Sequence, residues 1–320
     1  MDHNEKRRYL ISIDGGGTKT GICVYDCVTD DLRSDVFGGG NYKTHGINTV
    51  RDRILNGLRE MIPGSDDIPG SAIFLVMGLS GCDSPQDSEV YSGMMQSIGF
   101  SPERMYICND SEMIFRSNAD VPGICVVAGT GTISLAFTED GKTYRAGGWG
   151  APISDEGSGY WIGAEMIRKY LSWIDGTGMY NDFFRKFPAA LRCGTDEEAA
   201  AALASMNPAL VAEWAKPVFE SAPENELCRK IIRDAAEMTA VLTESVYRKS
   251  GFIACNDICI VESGGLFYNE QYTHDFRQRL FDILPAANYH FLRSDGIPAE
   301  DGIRLAKKMA EGPVTTQSRD

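Results

Sequence analysis

Two segments of the chain share one sequence pattern, and this internal similarity constrains the fold more than any other feature. Each has an apolar run, a turn rich in glycine and threonine, and a second apolar run: ISIDGGGTKTGICVY at 11–25 and ICVVAGTGTISLAF at 124–137. Apolar runs on either side of a glycine turn are typical of a β-hairpin. The two turns are much further apart in the sequence than the period of a solenoid repeat, so the internal similarity indicates two similar domains.

Short apolar runs between turn signals predict the remaining strands. With the two hairpins included, the predicted strands are 9–14, 20–25, 72–79, 105–110, 123–129, 132–137, 258–263 and 289–293. Apolar residues at three- and four-residue spacing predict helices at 50–61, 88–98, 159–173, 196–214, 227–247, about 267–283 and 298–310. This order predicts an α/β fold with mixed sheets covered by helices.

The charge of the chain limits its partners. Its 31 basic and 45 acidic residues give a net charge of −14, which disfavours binding to nucleic acid or to an anionic membrane. The longest apolar stretches, such as 72–79, are far shorter than a membrane span. Because the N-terminal segment MDHNEKRR lacks the apolar stretch of a signal peptide, we expect a cytoplasmic protein.

The cysteines and histidines give no clear metal motif. Cys23/Cys27 and Cys255/Cys259 share a C-x3-C spacing, whereas the tighter C-x2-C spacing of many zinc sites is missing. These residues lie among apolar neighbours, which favours buried free thiols over a metal site. The four histidines form neither a cluster nor an H-E-x-x-H motif, which argues against a histidine-based metal or triad enzyme.

Two apparent phosphate-binding motifs are excluded by a missing glycine and by the elements predicted next to them. The GKT at 141–143 would need a glycine at position 136 to complete a P-loop, but the chain has Ala136 there, and Asp-Gly between two β-like runs predicts a hairpin turn. Gly15-x-Gly17-x-x-Thr20 lacks the last glycine of a dinucleotide-binding motif. It is also followed by a predicted strand, whereas that motif requires the N-terminus of a helix.

The hairpin DGGGTKT at 14–20 fits phosphate better. Its successive backbone N–H groups and threonine hydroxyls can donate to phosphate oxygens, and glycine permits close approach and positive φ. Asp14, at the end of its strand, is placed to hold Mg2+ through water. The alternative interpretation is a tight hairpin whose Asp14 only caps the turn.

Seven segments, in the expected order, resemble the sugar-kinase branch of the actin/hexokinase/Hsp70 ATPase superfamily. More narrowly, they resemble the N-acetylglucosamine kinases, which share a family with the BadF/BadG/BcrA/BcrD ATPases. The segments are ISIDGGGTKTGICVYD (11–26), GGGNYKTHG (38–46), MGLSG (77–81), ICNDSEM (107–113), VVAGTGTISLAF (126–137), AGGWGAPISDEGSGYWIG (146–163) and VESGGLF (261–267). The most specific of them is GGWG-x4-DEGS-x-YWI.

This resemblance implies a fold and an activity. The fold would be two RNase-H-like domains with a nucleotide cleft between them. The N-terminal domain would comprise 1–118 plus 298–320, and the C-terminal domain 119–297 with a helical insertion. The activity would be Mg2+-dependent phosphoryl transfer from ATP to a sugar, most specifically the conversion of N-acetylglucosamine to N-acetylglucosamine 6-phosphate. A homodimer is an expectation of the resemblance alone.

The resemblance also assigns roles to residues. Asp110 would be the catalytic base that accepts the proton of the sugar hydroxyl, although it could instead cap the following helix. Gly264 and Gly265 would contact the adenosine, although a plain strand-to-helix turn would look identical. The residues that would bind the ATP phosphates are Gly16, Gly17, Thr18, Lys19 and Thr20 of the first turn, and Gly129, Thr130, Gly131 and Thr132 of the second.

The acceptor sugar would be bound by amide and carboxylate groups beside an apolar surface. The candidates are Asn41, Gly148, Trp149, Gly150 and Asp155, with Glu156 as a weaker one. Each has a structural alternative: Asn41 could be a turn residue, Trp149 a core residue, and Asp155 a helix cap. Ile133 stands where eukaryotic relatives have a polar residue, so glucosamine and N-acetylmuramic acid stay open as acceptors.

Two other classes of protein compete with a sugar kinase. The ATPase activators of 2-hydroxyacyl-CoA dehydratases share the expected fold but hold an Fe–S cluster with paired cysteines, and VESGGLF contains no cysteine. A sugar-binding regulator would be expected to carry a DNA-binding segment before Ile11, and the net charge of −14 disfavours one. The sugar-kinase interpretation is therefore preferred.

Overall fold

The computed structural model describes residues 8–65, 67–120, 122–252, 257–284, 288–294 and 298–311. Backbone contacts divide the chain into two compact units, one formed by Met1–Val121 and Ser294–Asp320 and the other by Pro122–Arg293. Each unit contains one five-stranded sheet with both parallel and antiparallel pairs. The predicted α/β class with mixed sheets is confirmed.

The described residues form ten strands and thirteen α-helices, which are numbered separately in chain order. The strands are β1 Tyr9–Gly15, β2 Lys19–Asp26, β3 Asp31–Gly38, β4 Ala72–Leu79, β5 Met105–Cys108, β6 Gly123–Ala128, β7 Thr132–Phe137, β8 Thr143–Gly147, β9 Asp257–Ser263 and β10 Asn288–Arg293. The α-helices are α1 Tyr42–His45, α2 Ile47–Met61, α3 Ile68–Ser71, α4 Pro85–Ser97, α5 Asp110–Asn118, α6 Gly159–Ile174, α7 Lys186–Leu191, α8 Asp196–Ala204, α9 Pro208–Glu213, α10 Ala215–Ser221, α11 Glu226–Lys249, α12 Glu270–Ile283 and α13 Pro298–Glu311. Among the described residues, no helix is both long and apolar enough to span a bilayer.

The sheet of the first unit has the order β3-β2-β1-β4-β5. β1 pairs antiparallel with β2 and parallel with β4, and β4 pairs parallel with β5. The carboxyl ends of β1, β4 and β5 therefore lie at one edge of the sheet. Residues that follow these three strands meet at that edge, as in other sheets with parallel strands.

Alternating side chains of β1 serve both faces of this sheet, because successive residues of a strand point to opposite sides. Ile11 and Ile13 are fully buried in a core that includes residues of α2 and α4. On the other face, Leu10 belongs to a second core cluster with Ala299 and Ile303 of α13. The last described helix thus packs on the first sheet.

The sheet of the second unit has the order β10-β9-β6-β7-β8. β6 pairs parallel with β9 and antiparallel with β7, so the ends of β6 and β9 are adjacent. Helices α6 to α12 contribute to one large core in this unit, in which Tyr170, Phe187 and Tyr272 are fully buried. The GKT at 141–143 lies in the hairpin between β7 and β8, where Gly141 has a φ of 79°.

The sequence did not predict the strand β3 or the short helices α1, α3, α7 and α10, and it joined α8 and α9 into one helix. β3 was not predicted because nearly all of its residues are exposed, so it carries no apolar alternation. β8 is the short strand that follows the predicted Asp-Gly turn, where a β-like run was predicted without bounds. The predicted helix 196–214 is two helices, since the side chain of Asn207 accepts a hydrogen bond from the Leu210 N–H and caps α9.

Candidate active site

The first glycine turn connects β1 to β2 as a tight hairpin. The N–H of Gly16 donates to the carbonyl oxygen of Lys19 at 2.9 Å, and Gly17, Thr18 and Lys19 are exposed. Neither Gly16 nor Gly17 has a positive φ, so the turn does not use that conformational freedom of glycine. Thr20 is buried and its hydroxyl donates to the carbonyl oxygen of Gly38 at 2.8 Å.

Two carboxylates lie at the edge where β1, β4 and β5 end. Asp14 is the second-last residue of β1, and Asp110 is the first residue of α5, separated from the end of β5 by Asn109 alone. The predicted strand 105–110 is therefore too long, because β5 stops at Cys108. The N-cap of α5 is Asn109, but Asp110 takes part in the capping, because the Ser111 N–H donates both to the Asn109 side-chain oxygen at 2.9 Å and to Asp110 Oδ1 at 2.7 Å.

The surroundings of Asp14 disfavour its charge. Burial raises the pKa of Asp14 to about 7, the negative charge of Asp110 adds to this effect, and Lys19 opposes it. Among the described residues, no group of three or more His, Cys, Asp or Glu side chains could hold a metal ion. Mg2+ commonly uses one or two carboxylates together with phosphate oxygens and water. A desolvated aspartate beside an exposed glycine turn fits that mode of binding.

Asn41 lies in the same unit, in the segment that follows β3. It is the N-cap of α1: its side-chain oxygen accepts from the Lys43 N–H at 2.9 Å. Its side-chain nitrogen donates to the carbonyl oxygen of Ser80 at 3.1 Å, just after β4. Asn41 is therefore a capping residue, as the structural alternative proposed, and its two hydrogen bonds hold the amide beside the end of β4. Each amide atom retains one further hydrogen-bonding position.

The second glycine turn is bound to the start of α6. The N–H of Gly129 donates to the Gly131 carbonyl oxygen at 2.9 Å, which closes the turn. The N–H groups of Gly159 and Tyr160 donate to the carbonyl oxygens of Gly129 and Thr130, at 2.8 and 3.1 Å. The segment DEGS-GYW thus supports the turn through backbone groups. The buried Thr132 hydroxyl has no hydrogen-bond partner among the described residues.

Asp155 lies against this second turn. It is 7% exposed, and its Oδ1 accepts from the Thr132 N–H at 3.4 Å. Burial raises the pKa of Asp155, and backbone N–H donors of Thr132, Ala151 and Gly150 oppose that effect. The capping alternative is wrong, because the side chain of Ser158 accepts from the Trp161 N–H and caps α6. Asp155 instead ties the loop after β8 to the second turn.

The glycine-tryptophan loop after β8 is exposed. Gly148 and Gly150 have φ values of 70° and 88°, which glycine adopts without strain. Trp149 is 74% exposed, so the core alternative for it is wrong. The Arg145 guanidinium lies 4.3 Å from the centre of the indole ring and donates from Nε to the Gly147 carbonyl oxygen at 3.0 Å. Glu156 is also exposed.

Gly264 and Gly265 follow β9. Gly264 has a φ of 98°, and a Cβ there would lie 2.3 Å from the carbonyl oxygen of Ala128. The position therefore requires glycine, because the end of β9 touches the residue before the second glycine turn. Gly265 is exposed and begins a short 3-10 helix that ends at Tyr268.

The site residues thus form two groups, each within its own unit. The first unit brings together Asp14, Gly16–Thr20, Asn41 and Asp110 around the ends of β1, β4 and β5. The second brings together Gly129–Thr132, Gly148–Gly150, Asp155 and Gly264–Gly265. Asp87, which accepts hydrogen bonds from Tyr42 and Ser84 beside Asn41, was not predicted. The pattern Ser84-x-x-Asp87 is a capping-box signature that could have identified it.

Known proteins resemble this chain over most of its length. Residues 11–282 match the model of the BadF/BadG/BcrA/BcrD ATPase family. The N-acetyl-D-glucosamine kinase of Dictyostelium discoideum is 27% identical over 272 residues, 81% of this chain and 85% of that protein. The N-acetylmuramic acid/N-acetylglucosamine kinase of Clostridium acetobutylicum is 30% identical over 176 residues, 53% of this chain and 56% of that protein.

A solved structure shares the fold. It is that of a Chromobacterium violaceum protein named as a candidate N-acetylglucosamine kinase, with a TM-score of 0.71 and 24% sequence identity. The match covers 94% of this chain and 99% of that one. At this level of identity the likeness is one of fold.

Proposed function

Because the chain belongs to the BadF/BadG/BcrA/BcrD ATPase family, we propose that it is an ATP-dependent amino-sugar kinase whose acceptor is N-acetylglucosamine. The observation that carries the proposal is the arrangement of the first unit, in which Asp14, Asp110 and an exposed glycine turn share one sheet edge. The similarity to the Dictyostelium discoideum kinase over 81% of the chain supports the same acceptor.

Asp110 is the proposed catalytic base. In the reaction the 6-hydroxyl oxygen of the sugar bonds to the γ-phosphorus of ATP, the bond from that phosphorus to the ADP oxygen breaks, and the hydroxyl proton passes to Asp110. Two features support this role: Asn109 already caps α5, and the N-terminus of a helix stabilises an adjacent carboxylate. Asp110 Oδ1 also accepts from the Ser111 N–H at 2.7 Å, which helps to orient the carboxylate.

The two glycine turns are the proposed phosphate-binding elements. In the first, the exposed backbone of Gly17, Thr18 and Lys19 would donate to phosphate oxygens. In the second, α6 fixes the carbonyl groups of Gly129 and Thr130, so their peptide units are oriented before ATP binds. Mg2+ would neutralise phosphate charge, with Asp14 holding it through water. Gly264 and Gly265 are proposed for the adenosine side.

The proposed acceptor residues are Asn41, Gly148, Trp149, Gly150 and Asp155. The exposed indole of Trp149 offers a flat apolar surface of the kind that sugars bind. Asp155 also holds its own loop, so a substitution there would test two roles at once. N-acetylmuramic acid is the second candidate acceptor, because the Clostridium acetobutylicum relative is named for both sugars.

A coupled ADP-release assay tests the proposal. The acceptors are N-acetylglucosamine, N-acetylmuramic acid, glucosamine and glucose, each with and without Mg2+, and mass spectrometry and NMR identify the phosphorylated position. We expect ADP release that requires both Mg2+ and N-acetylglucosamine. ADP release that is equally fast without any sugar would instead favour an ATPase of the activator class. A cytoplasmic location and a homodimer stay predictions.

A further inference from the structure

The segment Gly38–His45 contacts the first glycine turn directly. Two of the contacts involve the segment's backbone: the Gly40 N–H donates to the Gly16 carbonyl oxygen at 2.9 Å, and the Thr20 hydroxyl donates to the Gly38 carbonyl oxygen. The third comes from a side chain: His45 Nε2 lies 2.8 Å from the carbonyl oxygen of Gly17. A carbonyl oxygen can only accept, so Nε2 carries the proton in this contact.

The contact between His45 and Gly17 passes directly over Gly39. A Cβ on Gly39 would lie 2.4 Å from His45 Nε2 and 2.3 Å from the Gly17 carbonyl oxygen. Any side chain at this position would therefore occupy the space in which the hydrogen bond forms. The glycine run before Asn41 thus permits a specific link between the imidazole and the tip of the turn.

The same segment is fixed on its other side to the body of the first unit. Tyr91 donates its hydroxyl to the Gly40 carbonyl oxygen at 3.0 Å. The buried Asp87 accepts from the Tyr42 hydroxyl at 2.8 Å and forms an ion pair with Lys43 at 2.7 Å. The segment is therefore anchored through its middle, while His45, at the end of α1, holds the glycine turn.

The peptide that His45 contacts matters for phosphate binding. The Gly17 carbonyl group and the Thr18 N–H belong to one planar trans peptide unit, so they point in opposite directions. A hydrogen bond that holds the carbonyl oxygen towards His45 therefore directs the Thr18 N–H away from it. Thr18 is exposed and is one of the residues proposed to bind phosphate.

We infer that His45 is a positioning residue that couples binding of the amino sugar at Asn41 to binding of the ATP phosphates at the first glycine turn. Asn41 is the N-cap and His45 the last residue of the four-residue helix α1, so a sugar that immobilises Asn41 also restrains the imidazole. Restraining the imidazole fixes the peptide that offers the Thr18 N–H. By linkage, nucleotide binding favours sugar binding to the same extent. The inference rests on the proposed function.

Isothermal titration calorimetry with Mg·ADP, without and with saturating N-acetylglucosamine, tests this coupling. We expect the sugar to tighten ADP binding by about fivefold in the unmodified chain, the effect of roughly one hydrogen bond. His45→Ala should reduce the factor to about one, and His45→Gln, whose amide still donates, should restore part of it. The matched control is His274→Ala on α12, an exposed histidine outside the site, which should keep the full factor.

A merely structural role for His45 would weaken ADP binding equally with and without sugar, and this outcome would overturn the inference. So would a coupling factor near one in the unmodified chain, or an unchanged factor in His45→Ala. Thermal unfolding shows whether each variant folds, and His45→Gln serves if His45→Ala does not. The proposed function fails by a different result, the absence of sugar-dependent ADP release in the unmodified chain.

Discussion

The Ser111 N–H donates to two neighbouring side chains, the Asn109 oxygen at 2.9 Å and Asp110 Oδ1 at 2.7 Å, so Asp110 shares its donor with Asn109, the N-cap of α5. An aspartate that follows a strand and precedes a helix is ordinarily read as a cap. Here the cap is one residue earlier. The consequence is that either residue can be substituted while the other still accepts from the Ser111 N–H.

Asp110→Asn should lower kcat by about 10²- to 10⁴-fold, because it removes the general base. Mg·ADP affinity and the unfolding temperature should change little, since the cap remains. The partner variant Asn109→Ala should lower the free energy of unfolding by about 0.5 kcal/mol, the low end for loss of a cap, because Asp110 Oδ1 still accepts from the Ser111 N–H. Steady-state kinetics, calorimetry and thermal unfolding measure the three effects. Near-normal turnover in Asp110→Asn would exclude this residue as the base.

The pKa of Asp14, raised by burial from 3.8 to about 7, predicts a pH-dependent stability. Between these values the folded chain binds more protons at Asp14 than the unfolded chain does. The contribution of Asp14 to the free energy of unfolding therefore falls as pH rises from about 4 to about 7. Urea unfolding at several pH values should show that Asp14→Asn flattens this part of the profile. A profile that the substitution leaves unchanged would contradict the prediction.

The same raised pKa predicts proton release on binding. Mg2+ near Asp14 favours the carboxylate, so Mg·ADP binding near pH 6 should release a proton and should tighten towards pH 8. Calorimetry in buffers with different ionisation enthalpies counts the protons released. Asp14→Asn should remove most of the release, and titration with ADP and no Mg2+ is the control.

Trp149→Ala distinguishes a ligand-binding tryptophan from a packing one. Because the indole is 74% exposed, its loss should change the free energy of unfolding by less than about 0.5 kcal/mol, whereas a core tryptophan costs about 3–5 kcal/mol. The KM for the acceptor sugar should rise by about tenfold, the effect of losing an apolar contact surface. An unchanged KM for the sugar would remove Trp149 from the acceptor site.

Tyr272→Phe tests how the end of the Asp155 loop is held. The buried hydroxyl of Tyr272 donates to the Gly157 carbonyl oxygen at 2.9 Å and lies 2.7 Å from the Thr239 hydroxyl. Its removal leaves both partners without this bond, so the free energy of unfolding should fall by about 1–2 kcal/mol. Tyr268→Phe, at an exposed tyrosine, is the matched control and should have no effect on stability. Equal stability of both variants would contradict the prediction.

The bounds of strands could be predicted from the sequence where burial produces a run of apolar residues. β4 and β7 have the predicted bounds, because their apolar runs are almost completely buried. β3 left no such signal, since an exposed strand at the edge of a sheet needs no apolar face. The strand pairing that completes the first sheet could be recognised only in three dimensions.

Within the candidate site, residue types were easier to predict than their contacts. The motif that contains Asp155 was recognised, but its bond to the Thr132 N–H joins residues far apart in the sequence. The contact between His45 and Gly17 likewise depends on how β3 folds back beside β2. Neither contact follows from spacing or composition, because each depends on the tertiary path of the backbone.

The packing of α13 on the first sheet has a consequence for synthesis on the ribosome. Leu10, Phe74 and Val76 form one face of that sheet with α13, but the helix is made only after the whole of residues 122–293. At ordinary elongation rates this delay is on the order of ten seconds. During that time the nascent first unit carries an uncovered apolar face, which makes it a natural client for chaperones that bind emerging chains. Truncations that end before Pro298 should therefore aggregate, although they retain every residue of the proposed active site.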